Sequence, residues 1–178
     1  MNTEDLFYFR FLLSRGFAEE YNLWLNEQLT HTDPYPDILT ELALCGNDIN
    51  KTISVLHNFC LTNQTDSHQL CERLRNFLKN EYHSDRLSKK EVVYQMRDFI
   101  NCAHQFDEIN LNLLSEMPDL SDEYDLAEDE IISWERFDHV FLSYLNDGTH
   151  IPHKFIWNRP YSPSLWQRFI SWIRLRRK

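Results

Sequence analysis

Residues 88–103 read SKKEVVYQMRDFINCA, and this stretch decides the fold. Ser88 and Glu91 form an S-x-x-E capping box, in which each side chain can satisfy a backbone N–H left free at a helix start. Val92, Val93, Met96, Phe99, Ile100 and Ala103 then follow at helical spacing, on one side of a cylinder. Strand sequences alternate with a period of two, and this one does not. A helix is therefore expected from Ser88 to about Ala103.

Working toward the N-terminus, the same period recurs. A helix with Leu70, Leu74, Phe77, Leu78 and Tyr82 inward precedes it, after the polar run TNQTDS. Before that, Asn47 or Asp48 is a natural cap for a helix to about Leu61, with Ile49, Ile53, Leu56 and Cys60 at spacings of three and four. A short helix spans Asp37 to Cys45, ended by Gly46. The prolines of Asp33-Pro34-Tyr35-Pro36 bar it from joining the helix of about Ala18–Leu29, where Tyr21, Leu23, Trp24 and Leu25 are expected inward. The first helix, about Glu4–Ser14, carries apolar residues on adjoining stripes broad enough for full burial, and Gly16 ends it.

Toward the C-terminus the composition changes. Residues 107–138 hold twelve carboxylates against one base, Arg136, a net −11 in a chain whose total is −10. A helix is expected over about Asp107–Met117, ended by Pro118. A Pro- and Asp-rich connection follows to about Ala127, then a helix to Leu145 closed by Asp147-Gly148. Residues 149–178 contain no acid and seven bases, Lys154, Arg159, Arg168, Arg174, Arg176, Arg177 and Lys178. Ser162-Pro163 would start a final helix with Leu165, Trp166, Phe169, Ile170, Trp172 and Ile173. The expectation is an all-α, single-domain irregular bundle of about eight to nine helices over residues 1–178, with 149–178 as a basic, aromatic C-terminal segment. Three glycines among 178 residues suit that reading, because strand-rich folds consume glycine in tight turns.

Most catalytic chemistries find no footing. There is no CxxC pair, HExxH motif, calcium loop or phosphate-cradling glycine loop. His150 and His153 are split by Pro152 with no third ligand nearby. Cys45, Cys60, Cys71 and Cys102 each fall in an apolar helical pattern, which points to reduced, buried thiols rather than nucleophiles. No run approaches a membrane span, and no secretory signal opens the chain. No enzyme activity, cofactor or metal is expected, and the cytoplasm is the expected location. The terminal RLRRK cluster could touch an anionic membrane, but the overall charge of −10 opposes polyanions at long range.

Ile38-Leu39-Thr40-Glu41-Leu42-Ala43, then Leu113-Leu114-Ser115-Glu116-Met117-Pro118 before an acidic loop and a Trp-bearing helix, give a further clue. Over roughly Leu6–Leu145 the chain resembles small, acidic, all-helical bacterial immunity proteins of polymorphic-toxin systems, including contact-dependent growth inhibition. That resemblance implies tight binding to one cognate toxin, commonly a nuclease, without catalysis. Clustered carboxylates fit such a role, since nuclease domains present cationic surfaces and steered association is fast. The expected partner-binding residues are Asp119, Asp122, Glu123, Tyr124, Asp125, Glu128, Asp129 and Glu130. Tyr124 and Trp134 are suited to anchoring a partner and equally to the core. Direct nucleic-acid binding is not expected. The competing readings are a helical adaptor without a toxin partner and a peripheral membrane protein using Leu165–Lys178.

Overall fold

The computed structural model describes residues 2–32, 34, 36–106 and 116–149. Among them are eight helices: α1 (Thr3–Ser14), α2 (Glu19–His31), α3 (Asp37–Cys45), α4 (Ile49–Thr62), α5 (Ser67–His83), α6 (Lys89–Ala103), α7 (Ser121–Glu128) and α8 (Trp134–Asp147). The described residues contain no strand, and the chain is all-α. All eight helices supply side chains to one apolar cluster. The helices expected over 107–117 and after Ser162 lie outside the described residues.

Helix α1 occupies the centre. Every residue from Leu6 to Leu13 is buried, so no face of this stretch meets water. Its rings reach outward: Phe9 meets Tyr21 and Trp24 of α2, Tyr8 meets Phe77 of α5, and Phe11 stacks with Phe99 of α6. Each such ring contributes about 1.5–3 kcal/mol by leaving water. Gly16, at φ +87°, ends the helix. That value lets Phe17 N–H donate to Leu12 O (3.0 Å) and Gly16 N–H to Leu13 O (3.1 Å), satisfying carbonyls the helix leaves open.

Helix starts follow their caps. Asp48 accepts from Lys51 N–H, Asp66 from His68 and Gln69 N–H, and Ser133 from Arg136 N–H. Ser88 and Glu91 complete their reciprocal capping box, and all six apolar residues expected inward on α6 are buried. Leu23 departs from expectation, standing 67% exposed on α2. Tyr21, Trp24 and Leu25 take the inward face by spacings of three and four. Leu23, two residues from Tyr21, is turned about 200° away from it by 3.6-residue geometry. Ile49, at the first turn of α4, is likewise exposed. The four cysteines are free, three buried and Cys102 half-buried.

The larger departure is in the acidic region. Residues 121–128, expected as part of a connection, form α7, and the next helix begins at Trp134 rather than Ala127. Leu120, Tyr124 and Ala127 are buried at helical spacing, which gives this short segment an apolar stripe despite its charge. Helix α7 packs against α6 and α8.

Candidate protein-binding surface

The start of α7 is fixed by Asp119, whose Oδ1 accepts from Ser121 N–H (3.0 Å) and Ser121 Oγ–H (2.7 Å). Ser121 itself is buried, so this exposed carboxylate pins a covered turn. Asp122 and Asp125 follow on the open side. Asp125 accepts a hydrogen bond from Tyr94 Oη–H of α6 at 2.9 Å. That carboxylate pushes the Tyr94 phenol up from its ordinary value, through the hydrogen bond first and then burial. Glu128 receives Lys90 Nζ at 3.0 and 3.1 Å, and the carboxylate raises the lysine's pKa in turn. Both lysine and glutamate are about half exposed, so the pair is worth little in stability.

Helix α7 ends in a left-handed turn made by a charged residue. Glu130 sits at φ +58°, with its N–H donating to Ala127 O (3.2 Å) and Ile131 N–H to Leu126 O (2.9 Å). This is the hydrogen-bond pattern of a Schellman turn, where glycine is the usual occupant. Glu128, Asp129 and Glu130 therefore cluster at a helix C-terminus, the negative end of the backbone dipole, where anions are unfavourable.

The structure thus brings six of the eight expected residues to one exposed band: Asp119, Asp122, Asp125, Glu128, Asp129 and Glu130. It turns the other two inward. Glu123 is 3% and Tyr124 8% exposed, because they share the helix face of Leu120 and Ala127. Tyr124 is enclosed by Tyr94, Trp134 and Phe137, each meeting it edge to face. Trp134 keeps 41% of its surface open, and Ile131 47%. Lys89, Lys90 and Tyr94 frame the band from α6. Lys90 and Tyr94, four apart behind the capping box, share a face of α6, while the only sequence mark of the helix they meet is the spacing of Leu120, Tyr124 and Ala127. Among the described residues Lys90 of α6 pairs with Glu128 of this band, while Lys89 pairs with Asp138 of α8. Residues 150–178 lie outside the described residues.

A cleft elsewhere, about 360 Å³, lies between α5 and α8 and is lined by Cys71, Glu72, Arg75, Glu116 and Tyr144 among others. Its potential nucleophile is muted: burial pushes the Cys71 thiol up to about 11. Burial likewise raises Cys60, to about 12. Arg75 is directed at the end of α8, donating to the carbonyls of Leu145 and Asn146 (both 3.2 Å). Among the described residues no three His, Cys, Asp or Glu side chains are grouped to hold a metal ion, and no helix is long and apolar enough to cross a membrane.

Comparison with protein-family models, curated proteins and solved structures returns no match to this chain.

Proposed function

We propose that this chain is a cytoplasmic immunity protein that binds and neutralises a basic toxin domain, a nuclease in the first instance, without catalysis of its own. The observation that supports it is the exposed band of six carboxylates on α7 and its flanking turns. Clustered negative charge on a folded helix mimics the phosphates a nuclease attracts, and its field accelerates encounter with a cationic cleft. Lys90 offsets only Glu128, and Tyr94 donates to Asp125 without neutralising it.

The test reads the gene beside this one and, where it encodes a toxin domain, follows binding of that domain across salt concentration. Wild-type protein should bind tightly and protect against that domain. Reversing Asp122, Asp129 and Glu130 to lysine together should slow association and flatten its salt dependence. Unchanged affinity and salt dependence in that variant would remove the acidic-surface mechanism. A neighbouring gene that encodes no toxin, with no protection, would favour the adaptor reading.

A further inference from the structure

We infer that Ile131 and Trp134 form the apolar anchor of that contact, filling a hydrophobic depression in a partner whose rim is basic. This rests on the proposed function above and adds to it a division of labour between charge and packing. The two side chains are exposed on the turn that joins α7 to α8. Large apolar side chains exposed singly need no explanation. Two within four residues, set among charges, form a candidate contact centre.

Both are held in place before any partner arrives. Trp134 is the first residue of α8, with Tyr124 at 5.3 Å and Phe137 at 5.9 Å supporting it edge to face from the protein side. Lys89 Nζ lies 5.5 Å from its ring centre and is itself paired with Asp138. The backbone of Ile131 is fixed by the hydrogen bond from its own N–H to Leu126 O, and β-branching leaves its side chain few rotamers. An anchor already ordered loses little side-chain entropy on binding, so more of its apolar burial appears as affinity. Tyr124, the other aromatic of this region, supports the anchor from the core.

Charge selects the occupant. Asp129 and Glu130 directly precede Ile131, and Glu135 directly follows Trp134, all three exposed. An apolar pair edged by carboxylates suits a protein patch edged by lysine or arginine, and it disfavours an anionic lipid surface or a nucleic acid. Steering by the acids governs the association rate, while the desolvated pair governs how long the complex lasts.

The probe is again the toxin domain encoded beside this gene, measured by stopped-flow association and by dissociation in competition. Trp134→Ala and Ile131→Ser should each raise the dissociation rate roughly 10- to 100-fold. Association rate and salt dependence should stay within about threefold of wild type. Trp134→Phe should restore much of the lifetime. Ile131 is an exposed turn residue, so its variant keeps the test valid even if Trp134→Ala unfolds. Wild-type binding that survives both truncations within about threefold, while charge reversal weakens it, would overturn the anchor and leave the acidic surface standing. If the wild-type protein does not bind the domain at all, the function reading fails and the anchor with it.

Discussion

Replacing Arg10 with methionine should make this protein more stable. Arg10 lies mid-helix in α1, 7% exposed, among aromatic and aliphatic neighbours. Its Nη2 donates to Gln105 Oε1 at 3.2 Å, but its Nε and Nη1 are shielded from solvent without a hydrogen-bond partner among the described residues. A buried donor left unmade costs about 1–3 kcal/mol, and a buried charge adds several more before compensation. Methionine keeps an unbranched stem and fills irregular space, losing one hydrogen bond and leaving a small void worth roughly 1–2 kcal/mol. The balance is a gain of about 1–3 kcal/mol, or about 3–10 °C in Tm for a domain of this size. Differential scanning fluorimetry with urea unfolding measures it. A second reading comes from His57, whose pKa is held down by burial and then by the nearby Arg10 charge. In Arg10→Met the imidazole should titrate closer to its ordinary value by NMR. A Tm lowered by several degrees would refute the reasoning, because it would mean that the guanidinium is compensated.

Ser88→Ala removes one half of the capping box on α6 and should cost about 1 kcal/mol, roughly 2–4 °C in Tm. His68 Nδ1–H donates a 2.8 Å hydrogen bond to Glu116 Oε2, which raises its pKa. A raised folded-state value means that its contribution is present below about pH 6.5 and is lost as pH rises through the folded pKa. His68→Asn should therefore lower Tm at acidic pH and converge with wild type at alkaline pH; a constant difference across that range would contradict the pairing. Glu130→Gly relieves the left-handed backbone at φ +58° and should add about 1 kcal/mol, read as a Tm rise of roughly 2–4 °C.

Most of the helical plan was legible because it rests on short-range chemistry. Asp48, Asp66 and Ser88 each cap the helix that begins beside them, and Gly16, Gly46 and Gly148 follow the helices they were expected to end. What escaped reading depended on tertiary context. Residues 119–128 looked like a connection because Pro118 and five acids dominate the composition. The three-and-four spacing of Leu120, Tyr124 and Ala127 was nevertheless present, and it is what buries α7 against α6 and α8. The same oversight hid the fate of Glu123 and Tyr124, which lie on that stripe while their neighbours Asp122 and Asp125 do not. Arg10 shows the converse limit. A cation among apolar residues reads as the one polar position of a buried helix, yet the sequence offers no way to tell that two of its three nitrogens lack hydrogen-bond partners among the described residues.

The end of α7 breaks local rules in a consistent direction. Glu128, Asp129 and Glu130 oppose the helix dipole, Glu130 occupies a conformation suited to glycine, and Ile131 and Trp134 face water. Each choice costs up to about 1–2 kcal/mol, and none is needed to close the turn, since glycine or asparagine would close it at lower cost. Elsewhere side-chain caps open α4, α5, α6 and α8 but not α1, α2 or α3, and Asp85, at φ +56°, makes the same left-handed acidic turn at the end of α5. Taken singly, such departures are not peculiar to one terminus; their combination at the end of α7 is what points to a role there other than stability. At the end of α7 the departures add negative charge and open apolar area together. Charge alone would be explained by solubility, and apolar area alone by chance; their coincidence on a rigid turn is what a contact with a basic, hydrophobically pitted protein requires.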